Sequence, residues 1–191
     1  MNTLFPLQPI YPSGFRYVPN FISKEEEDTL LSLVSALELH TFKFQGYKAK
    51  RKVVSYGCDW SFETRTLSKG KNIPADFNGI IEKVASFIPL DSKEIEELLV
   101  TEYPDGSVIN WHRDAPPFDI IAGISLLTDC KFRFRPYEKS EQTRSSIISI
   151  PLQRRSLYII EGEARIDWEH SIAPVTTKRF SITLRTLRGS L

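Results

Sequence analysis

The chain has 191 residues, of which 41% are hydrophobic and 12% aromatic, and this length and composition suit a single folded domain with a sizeable core. Its formal net charge of +1 excludes the strong positive field of many nucleic-acid binders, although a local basic strip would suffice to bind a strand. The two cysteines form no CxxC pair, no apolar run has the length of a membrane span, and the N-terminus lacks the regions of a signal peptide. We therefore expect a monomeric cytoplasmic protein without disulfides or membrane contact.

Two amphipathic helical patterns lie in the first half of the chain. Ser23 and Glu26 have the spacing of a capping box, and apolar residues then recur at helical spacing, which predicts a helix over about 23–39. Pro74 is a typical first helical residue, and the apolar stripe that follows it, up to Phe87, predicts a second helix with one buried face.

The segment between these helices interleaves aromatic rings with cations. Short strands at 42–44 and 53–56 are predicted to flank a polar loop at 45–52. This segment could cover a bound nucleic-acid base, with lysines at the phosphates and rings on the base, or it could be a solvated hairpin that packs on the helices. Residues 1–90 are therefore predicted to form an N-terminal extension with helices and a candidate substrate lid.

Beyond residue 95 the pattern changes to short strands separated by turn residues. The predicted strands are 98–103, 108–112, 120–127, 131–135, 145–150, 156–161 and 179–185. Two helices followed by such a series predict an α+β fold in one domain spanning 1–191. Its core, at 95–191, would be a double-stranded β-helix (jelly roll) buttressed by the N-terminal helices.

His112 and Asp114 stand two residues apart, and His170 follows far downstream. Side chains at i and i+2 of a strand point to one face, so the first two could bind one metal while Arg113 points away. Two imidazoles and one carboxylate are the ligand set of a non-haem Fe(II) oxygenase. An HxD pair alone is weak evidence, because a turn-capping aspartate beside an unrelated histidine would look the same.

The strand at 179–185 has one wholly polar and one wholly apolar face. Its polar face carries Arg179, Ser181, Thr183 and Arg185. That face would lie in water if the strand were half exposed, which is the commoner case, or it would line a polar pocket between sheets. In the second case one arginine would bind a carboxylate as a bidentate fork, and the other would act near the metal.

Together these features resemble the AlkB family of Fe(II)/2-oxoglutarate-dependent dioxygenases, in the form of its small bacterial members. The resemblance covers most of the chain, from about residue 50 to 188. Its segments are Tyr103-Pro104-Asp105-Gly106, Trp111-His112-Arg113-Asp114, Gly123-Ile124-Ser125-Leu126-Leu127, Phe132-Arg133-Phe134-Arg135, Ser156-Leu157-Tyr158 and Trp168-Glu169-His170-Ser171-Ile172, and upstream the stretch from Arg51 to Tyr56-Gly57. It implies Fe(II) as the metal and 2-oxoglutarate and O2 as co-substrates.

The resemblance also implies roles for matching residues. The residues that match iron ligands are His112, Asp114 and His170. Those that match 2-oxoglutarate contacts are Thr101, Tyr103, Arg179, Ser181, Thr183 and Arg185. Among these, Arg179 matches the arginine at the distal carboxylate, and Arg185 matches one near the metal-side carboxylate. Thr101 and Ser181 stand where family members have asparagine, which leaves their contacts open.

The activity implied is oxidative demethylation of N-alkylated bases in DNA or RNA, as in alkylation repair, with release of succinate, CO2 and formaldehyde. A methylated single strand or a flipped-out base is the implied partner. The candidate substrate contacts are Lys50, Arg51, Tyr56, Trp60, Arg133 and Arg135.

Two alternatives stay open. The near-zero net charge, and Pro116 where the best-known members have an acid that contacts the base, would suit the same chemistry on a protein, lipid or small molecule. A non-catalytic jelly-roll module with a structural zinc is the other alternative, but it would not require Arg179 and Arg185.

Overall fold

The structure is a computed structural model that describes residues 11–44 and 46–189. Its strands, in chain order, are β1 (Phe15–Val18), β2 (His40–Phe44), β3 (Tyr47–Ser61), β4 (Thr66–Lys69), β5 (Glu97–Tyr103), β6 (Ile109–His112), β7 (Phe118–Leu126), β8 (Cys130–Pro136), β9 (Ile148–Leu152), β10 (Leu157–Ile160), β11 (Trp168–Ile172) and β12 (Arg179–Leu187). Its α-helices are α1 (Lys24–Ser35), α2 (Asn78–Phe87) and α3 (Gly162–Ile166).

The strands form two sheets. The larger has the order β1-β10-β7-β12-β5-β3-β2, with β4 added to β3, and the smaller has the order β6-β11-β8-β9, so that β6 is an edge strand. The pairings described are antiparallel. Two such sheets with helices to one side confirm the predicted α+β jelly-roll class.

The predicted helices exist with somewhat different ends. Ser23 and Glu26 form the expected capping box at α1. That helix ends at Ser35 rather than near residue 39, because the Ala36 N–H bonds back to the Leu33 carbonyl in a tightened last turn. The buried stripe of α2 is present, but Phe87, expected to be buried, is 40% exposed at the end of the helix.

The prediction of a polar loop at 45–52 was wrong. Tyr47 begins β3, which runs to Ser61 and pairs with both β2 and β5. Basic residues are poor strand formers, but pairing on both sides outweighs their weak intrinsic preference. Strands from before residue 90 therefore extend the larger sheet. The short strands β1, β4 and β11 and the one-turn α3 were also not predicted.

Two apolar clusters form the core. One lies between the helices and the outer face of the larger sheet, and includes Val34, Phe77, Val84, Leu98 and Ile182. The other lies between the sheets, and includes Phe118, Ile121, Phe132, Phe134 and Ile172. Because both faces of β12 are covered, its polar face is not in water, and Arg179 is 1% exposed. No helix in the described ranges is long and apolar enough to span a membrane.

A buried carboxylate ties α1 to the jelly roll. Glu27 is 0% exposed and pairs with the Arg154 guanidinium, with Oε2 2.7 Å from Nη2. Its other oxygen accepts the Leu127 N–H at 2.9 Å. Leu127 has a positive φ of 74° at the end of β7, a conformation that is strained for leucine. Glu27 thus holds both the helix and this turn in place.

Glu27→Ala should lower the free energy of unfolding by about 2 kcal/mol, because it leaves the Arg154 guanidinium without its carboxylate and the partly buried Leu127 N–H without its acceptor. Urea denaturation of this variant and of Glu25→Ala would measure the difference. Glu25 is exposed in the first turn of the same helix, so its removal should cost much less than the removal of Glu27. Equal losses in the two variants would contradict the role of Glu27.

Candidate active site

A cavity of about 740 Å³ lies between the two sheets. Its polar wall comes from β5 and β12 of the larger sheet and from β6 and β11 of the smaller one. Aromatic side chains contribute at several points: Phe42, Trp60, Phe62, Tyr103, Trp111 and Phe132. The cavity therefore combines an inner cluster of ionisable groups with flat apolar surfaces.

The two predicted histidines and the aspartate meet on this wall. His112 ends β6, and His170 lies directly opposite it on β11 because the two are cross-strand partners. Asp114 follows two residues after His112. One potential ligand atom from each residue lies within 4.8 Å of the others, and the His170 Nε2 is 3.4 Å from the Asp114 Oδ2. The three side chains could bind one cation.

Both imidazoles are in the form that a metal requires. The Nδ1 of His112 is 2.9 Å from the Asn110 carbonyl and can donate to it, which leaves the Nε2 lone pair free. Burial lowers the pKa of His112. Burial also lowers the pKa of His170 to about 3, with a further contribution from His112. Neutral rings with a free nitrogen are ligands; protonated rings are not.

Asp114 has one engaged and one free oxygen. Its Oδ1 accepts hydrogen bonds from Arg185, at 2.7 Å from Nη2 and 3.0 Å from Nε. Its Oδ2 is buried and accepts no hydrogen bond from the described residues. Burial alone would raise the pKa of Asp114. Arg185 and the two histidines lower it by more, so the pKa lies below its usual range. A buried, ionised oxygen without a donor is suited to a cation.

Arg179 places a buried positive charge on β12, in contrast to the negative charge of Asp114. It is buried, its Nη2 lies 3.1 Å from the Ser125 hydroxyl, and its guanidinium carbon lies 4.7 Å from the centre of the Tyr103 ring. In the described part of the chain no carboxylate pairs with it, and its Nη1 has no hydrogen-bond partner. An uncompensated buried cation is costly, so this position is suited to an anionic ligand.

The comparisons with known proteins agree with this chemistry. The model of the 2OG-Fe(II) oxygenase superfamily matches residues 14–188. The Alkylated DNA repair protein ALKBH8 homolog of Arabidopsis thaliana is 28% identical over 209 residues, which cover 92% of this chain and 59% of that protein. The chain belongs to the 2OG-Fe(II) oxygenase superfamily, and within it the chain is similar to proteins with AlkB-related names.

Other relatives carry RNA-related names. The tRNA (carboxymethyluridine(34)-5-O)-methyltransferase ALKBH8 of Mus musculus is 29% identical over 170 residues, which cover 85% of this chain and 24% of that protein. The RNA demethylase ALKBH5 of Bos taurus is 27% identical over 121 residues, which cover 57% of this chain and 29% of that protein. The chain thus spans 59% or less of the length of these relatives.

A solved structure supports the fold independently. The structure of OsALKBH1 aligns with a TM-score of 0.71 at 16% identity, covering 95% of this chain and 100% of that one. Membership of the 2OG-Fe(II) oxygenase superfamily, rather than this likeness of fold, implies Fe(II) as the cofactor and 2-oxoglutarate and O2 as co-substrates.

The predicted 2-oxoglutarate residues cluster around β12. Tyr103, Thr101 and Thr183 are on the cavity wall. Ser181 and Thr101 are cross-strand partners, and the Ser181 hydroxyl is 3.3 Å from that of Tyr103. Arg179 and Ser181 do not line the cavity themselves; Arg179 is the cross-strand partner of Tyr103, and its guanidinium lies against that ring. Arg185 lines the cavity, but its three nitrogens already contact the carboxylates of Asp114 and Glu97.

The predicted substrate residues divide into two groups. Arg51 and Trp60 line the cavity, and the Arg51 guanidinium carbon lies 4.0 Å from the centre of the Phe42 ring. Tyr56 instead packs on the helix-side core, and Lys50 is exposed on the face of β3 opposite to Arg51. Another two predicted residues, Arg133 and Arg135, lie on the outer face of the smaller sheet.

The motifs did not identify two charged residues beside the triad. Glu97 is buried on β5, binds Arg185, and accepts a hydrogen bond from the Ser55 hydroxyl at 3.1 Å. The sequence does offer a signal for Glu97, because this charged residue stands at the start of a strand that is mostly apolar. Arg165, on α3, is also buried; its partners are backbone carbonyls, which no residue pattern reveals.

Arg165 holds the backbone that presents Asp114. Its Nη2 donates to the carbonyls of Asp114, Ala115 and Phe118 at 3.1, 2.7 and 3.1 Å. Burial lowers the pKa of this guanidinium, so the charge is kept at a cost in free energy. Arg165 therefore acts as a positioning residue for the aspartate.

Arg165→Met should weaken metal binding about tenfold, because groups that orient a ligand contribute about 10- to 100-fold to metal affinity. Calorimetric titration with Mn(II) would measure the affinity, and Arg165→Lys should recover part of it by keeping some of the carbonyl bonds. The exposed Arg144→Met serves as the control. A folded Arg165→Met variant with unchanged Mn(II) affinity would rule out the positioning role.

Proposed function

We propose that this chain oxidatively demethylates N-alkylated bases in single-stranded or flipped-out nucleic acid. The observation that carries the proposal is the cavity itself, in which the histidine–aspartate cluster shares one wall with aromatic side chains. Trp60 offers a flat surface for a base, and Arg51 supplies positive charge. The relatives named for RNA demethylation and tRNA modification support a nucleic-acid substrate.

In this proposal His112, Asp114 and His170 hold Fe(II), and Arg179 binds the distal carboxylate of 2-oxoglutarate. With both co-substrates bound, the metal supplies the oxidation that hydroxylates the N-methyl group, while 2-oxoglutarate leaves as succinate and CO2. The hydroxymethyl group then leaves the nitrogen as formaldehyde, and the base regains its N–H. Arg185 acts through Asp114, since each of its three nitrogens already donates to a carboxylate of the protein.

Arg179→Met should raise the KM for 2-oxoglutarate about 100-fold, equivalent to about 2.7 kcal/mol, because methionine fills the space without the bidentate fork. Arg179→Lys keeps the charge but not the fork geometry, so its KM should lie between those of the wild type and Arg179→Met. Consumption of 2-oxoglutarate measured over a concentration series would show this, with Arg144→Met as the control. A KM near the wild-type value in Arg179→Met would place the co-substrate elsewhere.

The substrate class is tested by turnover on matched oligonucleotides. RNA and DNA single strands that carry one N-methylated base should yield formaldehyde and succinate in equal amounts, above the succinate formed without substrate. Asp114→Ala should abolish both products because it removes a proposed ligand. Methylated peptides and small methylamines form the comparison set. If only these release formaldehyde, or if no methylated base exceeds the uncoupled background, the proposed substrate is wrong.

A further inference from the structure

The outer face of the smaller sheet carries a row of cations. Lys131, Arg133 and Arg135 alternate along β8 with Phe132 and Phe134, whose rings are buried between the sheets. Since side chains alternate across a strand, the three cations, called here the outer cation row, point away from the core. Neighbours in the row are about 6.6 Å apart along the strand, as two strand rises require.

Contacts with neighbouring strands hold part of this row in place. The guanidinium carbons of Arg133 and Arg135 lie 4.9 and 4.7 Å from the centre of the Trp111 ring. Arg135 also pairs with Glu169 at 2.6 Å, whereas Arg133 donates to the neutral Ser171 hydroxyl at 3.0 Å. Within the described residues Arg133 therefore has an orienting partner but no carboxylate to neutralise it.

The outer cation row lies next to residues that line the cavity. Trp111 lies on the edge strand β6, contacts the row, and also lines the cavity. Arg113 lines the cavity as well, and its guanidinium carbon lies 3.5 Å from the centre of the Tyr137 ring, which is 49% exposed. Cations and aromatic rings are thus continuous from the cavity mouth onto the outer face of the sheet.

We propose that this face binds the sugar-phosphate backbone of the strand next to the base held in the cavity. The inference rests on the proposed function. The regular spacing of the cations, the unneutralised Arg133 and the aromatic residues beside them fit a flexible anionic strand, which is recognised through phosphates and stacking. The outer cation row would then distinguish a base within a strand from a free nucleoside.

The test compares oligonucleotides of two lengths around one methylated base, a trinucleotide and a nonanucleotide. In the wild type the nonanucleotide should bind more tightly by fluorescence anisotropy and have the lower KM. Lys131→Gln/Arg133→Gln should weaken nonanucleotide binding about tenfold and have a smaller effect on the trinucleotide. The salt dependence of the affinity should become shallower by about 0.7 for each phosphate that the variant no longer neutralises.

Two further variants separate charge from structure. Arg133→Lys should keep most of the wild-type nonanucleotide affinity, because non-specific binding to a phosphate backbone depends mainly on the positive charge. Lys24→Gln/Lys93→Gln removes the same charge from exposed positions elsewhere and should bind like the wild type.

The failure of this inference is distinguishable from failure of the proposed function. If the wild type oxidises the nonanucleotide but Lys131→Gln/Arg133→Gln binds it with unchanged affinity and salt slope, the outer face is not the strand-binding surface. If no methylated base is oxidised, the proposed function fails, and the anisotropy measurements still decide where a strand binds. Equal losses in the Lys24→Gln/Lys93→Gln control would also overturn the inference, because the effect would then be one of net charge.

Discussion

The paired contact of Arg185 with Asp114 and Glu97 is the interaction on which the metal-binding arrangement depends. Three buried charges would cost several kcal/mol each if they were unpaired. The planar guanidinium satisfies Glu97 and one oxygen of Asp114 at once, and so leaves the other aspartate oxygen directed at His170. A lysine could not do this, since its donors do not form a planar fork. The geometry of the cluster therefore depends on a residue that need not touch the metal.

Strand register explains why the two arginines of β12 differ. Arg185 lies opposite Glu97 on β5, whereas Arg179 lies opposite Tyr103. One position on the strand is thus neutralised by the protein itself, and the other is left with positive charge in a buried setting. In the proposed function, this difference is what assigns the distal carboxylate of 2-oxoglutarate to Arg179 rather than to Arg185.

Local patterns predicted much of this arrangement. The two-residue alternation identified β12 with its polar face, and the resemblance around His112, Asp114 and His170 pointed to residues that the structure does bring together. Whether the polar face of β12 would lie in water or between sheets could not be read from β12 alone. That outcome depends on the smaller sheet, whose strands are distant in sequence.

The orientation of β3 was harder to predict for a different reason. Arg51 and Ser55 face the cavity and Tyr56 faces the helices, yet Trp60 is again on the cavity wall. Gly57, with a φ of +86°, interrupts the alternation between them. Such an interruption shifts every later side chain to the other face, which is why Trp60 shares the cavity face with Arg51 although nine positions separate them. Tyr56 precedes Gly57, so regular alternation from Arg51 already places it on the helix side, and the resemblance alone had made it a substrate candidate.

The place of β6 at the sheet edge has a consequence for cooperativity. An edge strand is held on one side only, and His112 at its end lies opposite His170 on its single neighbour. A cation bound by both would cross-link that edge, and the same short strand carries Trp111 at the cavity mouth. A ligand that binds more tightly to the ordered edge strand would then raise the affinity of the site for the metal. Bound metal would raise the affinity for that ligand by the same factor.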